Sequence, residues 1–406
     1  MNKHVLTVLI SSAFLLTACG GGDDDPIVFD DGIPKNNIVN PVVSTPTVYT
    51  LTDMSVSAAD SVVMTYKMLG VNGKEVQATS LVFTPKTTVP KDGWPIVVWA
   101  HGTTGVADVC APSKNTITGS TFSLIKDLLD EGYVVVAPDY EGLGEPGGKE
   151  LHPFLNLKSE SYSITDAVVA ARNYLGSKVS KQWMAVGHSQ GGHAVLGAAQ
   201  YAVRANLDYK GTVAVAPASN LKTIFNTGQQ LVVDLPAKDQ VATLASLNTY
   251  AALITAGMQG QSSPPTYAQV FQSNAATIAV QAETVCSEPL GMDFGTKMGT
   301  AAATTDSLSG YLTQTNFMQV PAITKFLSTT SQPLSVKITT PVKIYQGGRD
   351  TTVPANATAE LVTDATKLGT NIDLKYETVW NHTTAFSTNL ANIVNDVKGM
   401  MPTQTP

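Results

Sequence analysis

Trp183-Met-Ala-Val-Gly-His-Ser189-Gln-Gly-Gly192 is the stretch from which the rest of the chain is read. Its apolar start reads as a short strand, Gly187 to Gly191 as a sharp turn, and His193 to Ala202 as the helix after it. A serine at the centre of G-x-S-x-G, between a strand and a helix, sits on a strained turn that exposes its hydroxyl. The glycines are a steric demand, because without a Cβ they let strand and helix pass at close range. An isolated G-x-S-x-G is a weak signal; the flanking strand and helix patterns give it weight.

Outward from this turn, strands and helices alternate. Ile96 to Ala100 and Tyr133 to Ala137 are continuous apolar runs, as expected of strands covered on both faces. Helices are expected over Phe122 to Glu131 and Ser159 to Leu175, and another strand over Tyr209 to Val215. Upstream, Val62 to Leu69 and Val76 to Phe83 read as an antiparallel pair about an Asn72-Gly73 turn. The alternation predicts an α/β core with a mostly parallel sheet flanked by helices. Between Ala218 and Ser335 the rhythm breaks into Ala-, Thr-, Gln- and Ser-rich helical stretches, Gln240 to Met258 and Tyr267 to Val285. We read residues 218–335 as a helical cap inserted after the sixth core strand. The sheet resumes at Pro341 to Tyr345, followed by a helix over Ala355 to Leu368, a strand over Ile372 to Val379 and a last helix to about Lys398. The core is therefore expected in two parts, 48–217 and 336–406.

A serine hydroxyl needs a base to become a nucleophile, and the base needs an acid to orient it. On a sheet of this kind the order along the chain is Ser, Asp or Glu, His. Of six histidines, four precede Ser189 and His193 lies one helical turn after it, which leaves His382, in the loop after the last strand. Asp350 is the first carboxylate after the strand ending at Tyr345; Asp364 and Asp373 are rivals that read as helix surface and strand start. Activity is then expected to fall as acid protonates His382. Oxyanion donors are expected from the backbone N–H of Gln190 and from the loop His101-Gly-Thr-Thr-Gly105, where Thr103 is preferred and Thr104 comes next. His101 reads as a residue that holds this loop, His188 as packing beneath the turn, and Asp139-Tyr140-Glu141 as a structural turn at the pocket rim. No histidine pair has metal-ligand spacing, so neither a metal nor any other cofactor is expected.

The 406 residues carry a net charge of −7 and no basic run, which argues against nucleic acid as a partner. Residues 1–18 read as a signal peptide: Lys3, then an apolar run from Val5 to Leu16 too short to span a bilayer, then small residues. Leu16-Thr-Ala-Cys19 resembles a bacterial lipobox, which implies lipidation of Cys19, a membrane anchor, and a place in the envelope of a Gram-negative cell. Gly20 rather than Asp after the cysteine points to the outer membrane. Residues 19–47 read as a flexible tether. Three cysteines minus Cys19 leave Cys110 and Cys286, an even pair in an oxidising compartment, for which a disulfide is expected. Such a bridge would contribute roughly 4–5 kcal/mol in the loop-entropy model.

Four tracts together resemble the secretory lipase family, the fungal-type lipases and bacterial esterase relatives of the α/β-hydrolase superfamily: His101 to Ser113, Pro138 to Gly144, His152 to Leu155 and Gly187 to Gly192. The resemblance runs from about Ser80 to Gly399. It implies an α/β-hydrolase fold, a helical cap over an acyl pocket, cleavage of small-molecule or lipid carboxylic esters without a metal, Ser189, Asp350 and His382 as the triad, and a bridged Cys110. The cap here is more polar than a greasy lid. Two other readings stay open: a peptidase or acyl-amide hydrolase using cap carboxylates among Glu283, Glu288 and Asp293, and a non-catalytic surface binding protein on the same fold.

Overall fold

The structure is a computed structural model that describes residues 32–148 and 150–403. The expected signal peptide and Cys19 lie outside the described residues. The chain divides into two units, 1–33 and 34–406. Of the first, Gly32 and Ile33 are described; the sheet, the helices and the cap all belong to the second.

Nine strands are present among the described residues: β1 (Thr47–Val48), β2 (Ala58–Leu69), β3 (Glu75–Pro85), β4 (Trp94–Ala100), β5 (Val134–Pro138), β6 (Val179–His188), β7 (Asp208–Val215), β8 (Val342–Gly347) and β9 (Ile372–Glu377). They form one sheet in the order β1-β2-β3-β5-β4-β6-β7-β8-β9. The first pairings, through β3 with β5, are antiparallel and the rest parallel. β4 and β5 are buried along their whole length, as their unbroken apolar runs require. Ala100 pairs with Gly187, His188 with Val215, and Val215 with Tyr345. The carboxyl ends of β4, β6 and β8 therefore emerge side by side, where open α/β sheets hold their sites.

The helices are α1 (Gly119–Asp130), α2 (Leu157–Leu175) and α3 (Gln190–Tyr201) in the first part of the core. The insertion holds α4 (Leu221–Val232), α5 (Ala237–Gly257), α6 (Tyr267–Val270), α7 (Ser273–Ala279), α8 (Ser287–Thr305) and α9 (Pro321–Lys325). The core ends with α10 (Ala355–Lys367), α11 (Thr384–Ser387) and α12 (Leu390–Met400). One apolar cluster packs α1 and α12 on the sheet through Leu124, Leu128, Val97, Val213 and Val394. The other fills the cap with Leu247, Ala252, Phe294 and Phe326 and reaches the core domain at Phe154 and Val353. The polar composition of the insertion thus lies on its outside, over an apolar interior of its own.

Three expectations change. The single helix over Tyr267 to Val285 is broken: Phe271 turns extended and bridges to Thr313, separating α6 from α7. Helices α4 and α8 are additional to the two helical stretches expected in the insertion. The flexible tether does not extend to residue 47. Pro41 O accepts Lys67 N–H at 2.8 Å, Val43 N–H donates to Thr65 O at 2.9 Å, and β1 joins the sheet edge. That extra strand also makes the cap follow the seventh strand rather than the sixth.

Candidate active site

Ser189 is the residue between β6 and α3, with φ 59° and ψ −118°. A left-handed φ on a non-glycine residue is strained, and the neighbours explain why it persists. A Cβ on Gly187 would collide with the Gly191 carbonyl, and one on Gly191 with the Ala100 carbonyl. The turn is also fastened by Ser189 N–H to Val215 O at 2.9 Å and Ala218 N–H to Ser189 O at 3.2 Å.

Asp350 lies in the loop after β8 and His382 in the loop after β9. The two loops are tied by Arg349 N–H to Trp380 O at 2.9 Å, and Gly347 leaves room for the Trp380 carbonyl. His382 Nδ1–H donates to Asp350 Oδ2 at 2.8 Å. Asp350 Oδ1 accepts the N–H groups of Thr352 at 2.9 Å and Val353 at 2.8 Å, so the carboxylate is held at both oxygens. His382 and Ser189 line the same cavity of about 590 Å³. No hydrogen bond joins them among the described residues; such a bond often shortens only in the Michaelis complex. His188 is a wall rather than packing beneath the turn. Its Nε2–H donates to His382 O at 3.0 Å and its ring stacks on Phe386 at 5.2 Å. Burial, and then the neighbouring His382, hold its imidazole down to about 4, so it stays neutral.

The loop after β4 brings Thr103 to the same cavity. His101 fixes this loop, its Nδ1–H donating to Gly102 O at 2.7 Å, while Tyr140 Oη–H donates to His101 O at 3.0 Å. Burial lowers His101 to about 4. From the cap side, Ser287 N–H donates to Thr104 O at 2.8 Å. Beside it Cys110 and Cys286 form a disulfide with Cα atoms 5.4 Å apart. Cys286 is also the residue before α8, so the bridge pins a helix of the insertion to the segment that follows the β4 loop.

Sequence reasoning missed a buried cluster behind Gln190. Glu160 on α2 is fully buried. It accepts Gln190 Nε2–H at 2.8 Å and Leu155 N–H at 3.0 Å on Oε1, and His193 Nδ1–H at 2.6 Å on Oε2. Gln190 Nε2–H also donates to His152 Nε2 at 2.7 Å, and His152 Nδ1–H to Glu141 O at 2.8 Å. His193 Nε2–H reaches Ser331 O in the cap at 2.8 Å. Both His193 ring nitrogens face acceptors. Burial alone would raise the Glu160 carboxyl, but the neighbouring His193 and its hydrogen bond hold it down to about 2. The signal available in the sequence was a pair of histidines in or beside two of the family-like tracts, at 152 and 193.

Other candidates lie elsewhere. Asp364 pairs with Lys367 on α10, and Asp373 with Lys343 and Lys375 on β9. Asp139 is fully buried rather than at a rim, accepting from Thr79 Oγ1 at 2.6 Å and Ser113 N–H at 2.8 Å. Burial raises its carboxyl to about 6 despite those bonds. Glu141 is likewise buried, accepting from Val71 N–H at 2.9 Å and Ser159 Oγ at 2.5 Å. In the cap, Glu283 accepts from Tyr267 and Asp293 pairs with Lys297, while Glu288 lines the cavity. No cluster of three or more potential metal ligands occurs among the described residues.

The family described as Secretory lipase matches residues 109–397. No curated protein matches the sequence. Among solved structures, a Legionella pneumophila protein named as a hydrolase superposes with TM-score 0.67 at 18% identity, over 86% of this chain and 90% of that one. The rice cell wall degrading esterase LipA from Xanthomonas oryzae gives 0.61 and 18%, over 89% and 97%. Candida antarctica lipase A in its closed state gives 0.63 and 19%, over 90% and 84%. At these identities the structural likeness establishes the fold, an α/β-hydrolase.

Proposed function

The chain belongs to the secretory lipase family, and from that premise we propose that this carboxylic ester hydrolase works through an acyl-enzyme on Ser189. The observation that carries the reading is the 2.8 Å bond from His382 Nδ1–H to Asp350 Oδ2, on a histidine that shares a cavity wall with Ser189. With Nδ1 protonated, Nε2 is the free base. Ser189 Oγ attacks the ester carbonyl carbon as Nε2 takes its proton. The resulting oxyanion is met by the backbone N–H groups of Gln190 and Thr103. Nε2–H then protonates the departing alcohol oxygen, and water, activated by the same base, releases the acid. The neutral His188 against His382 O supports the orientation of the ring without adding a competing charge.

The test is hydrolysis of p-nitrophenyl acetate together with labelling by a fluorophosphonate. Both should be lost in Ser189→Ala; an unlabelled wild-type chain would turn the reading to a binding protein. As a proposal from the sequence, Cys19 carries a lipid that anchors the enzyme to the outer membrane, and a disulfide between Cys110 and Cys286 suits such an oxidising compartment. Palmitate incorporation that survives in Cys19→Ser would sink that part.

A further inference from the structure

Two cavities of unlike shape and chemistry meet at Ser189. One is the groove of about 590 Å³ that also holds His382. The other is a slot of only about 30 Å³, lined by Leu155, Leu221, Phe225, Leu247 and Ile254, with Ser189 at its mouth. Thr103 and Tyr250 border both; His382 borders the groove alone. The groove is polar in part: Thr104 Oγ1 is buried there without a partner among the described residues, and Thr118 makes no cap bond with its hydroxyl.

Resting on the acyl-enzyme reading, we infer that the acyl group enters the slot and the alcohol lies in the groove, so that the enzyme takes short acyl groups on bulky, polar alcohols. The orientation follows from the proton balance. When the tetrahedral intermediate collapses, the bond from carbonyl carbon to alcohol oxygen breaks, and that oxygen takes the proton from His382 Nε2. The alcohol must therefore leave on the side of Ser189 where His382 stands, which is the groove. The acyl substituent is directed to the other side. A site needs about 10–15 Å³ of such space for each water-sized group, so the slot of about 30 Å³ admits at most two or three atoms beyond the carbonyl carbon, which sets butyryl as the upper limit. Its walls do not yield readily. Leu247, Ile254 and Phe225 are buried, Phe225 meets Phe317 edge-on with centroids 5.4 Å apart, and the helix carrying Leu247 packs closely on Gly228.

The experiment is a pair of kcat/KM series on the wild-type chain: p-nitrophenyl esters from acetate to decanoate, and acetate esters of alcohols from methanol to octanol and glycerol. The first series should fall at least thirtyfold between butyrate and octanoate, and the second should not fall. Leu247→Ala and Ile254→Ala, singly, should raise the octanoate-to-butyrate ratio at least tenfold. Octanoate cleaved as well as butyrate, or acetates that weaken as the alcohol grows, would overturn this assignment while leaving the serine esterase intact. No cleavage of any ester would overturn the acyl-enzyme reading and this inference together.

Discussion

Gln190 presents its backbone N–H at the head of α3 while its side chain is clamped from behind. One Nε2 hydrogen goes to Glu160 and the other to His152, so the amide cannot turn over without setting its oxygen against a carboxylate. In the acyl-enzyme proposal, where the Gln190 N–H meets the oxyanion, Glu160 acts on that donor by positioning it. Glu160→Gln, which keeps the shape and removes the charge facing His193, is expected to lower kcat roughly tenfold to a hundredfold, less than deleting an oxyanion donor outright, with KM changed little. Steady-state rates on p-nitrophenyl acetate check this, and Gln190→Met, which spares the ion pair, should show the same split. A lower Tm with kcat intact in both would make the cluster purely structural. Ser189, Asp350 and His382 could be nominated together because chain order and elimination among six histidines work in one dimension, and the structure places Asp350 against His382 and His382 on the cavity of Ser189. Glu160 could not be. A glutamate on a helix reads as solvated surface, and only the near-complete burial of α2 from Leu157 to Val168 makes it a partner.

The segment from Pro34 to Val48 shows why a tether can be mistaken. Its Pro, Asn and Thr residues carry no strand or helix period, yet its backbone is held by long-range partners. Arg204 Nε–H and Nη2–H make a two-pronged pair with Asp166 at 2.8 and 2.7 Å, and Arg204 Nη1–H donates to Pro34 O at 2.6 Å. Asn36 closes the arrangement, donating from Nδ2 to Asp166 at 2.9 Å and from its backbone to Arg204 O at 3.1 Å. The Arg204 guanidinium also lies over the Tyr162 ring at 4.7 Å. Breaking such a buried pair leaves an unpaired carboxylate, so Arg204→Met should lose about 3–5 kcal/mol of stability. It should also open residues 34–48 to protease, read by thermal melting and limited digestion. Within the insertion α5 was legible, because its apolar spacing is dense. Helices α4 and α8 escaped because Gly228, Gly291, Gly295 and Gly299 dilute their pattern; at Gly228 the gap is filled by Leu247 from the next helix.

Across the whole molecule, buried titratable groups set how acid acts. His101 and His188 sit at about 4 when folded against an ordinary 6.5, so between those values the unfolded chain binds protons that the folded one refuses. Stability falls as pH drops through that window. Asp139, raised to about 6 from 3.8, works the other way, gaining stability on acidification. Glu141 and Asp166, whose carboxyls burial also raises, act in the same direction as Asp139 and oppose the two histidines. Glu160, held at about 2 against an ordinary 4.5, adds further loss below about pH 4.5. Between pH 7 and 4.5 the Tm of His101→Asn should therefore fall less, or rise more, than that of the wild-type chain; parallel profiles would count against a buried neutral His101. The disulfide has a consequence of a topological kind. Cys110 and Cys286 stand 176 positions apart, so the bond closes a covalent ring that contains Ser189, with Asp350 and His382 on the tail beyond it. A protease cut anywhere between residues 111 and 285 opens the ring without dividing the molecule. The nicked chain would run as one band on a denaturing gel and as two after reduction, and a cut between Ser189 and Cys286 would leave Ser189 joined to His382 through the sulfurs alone.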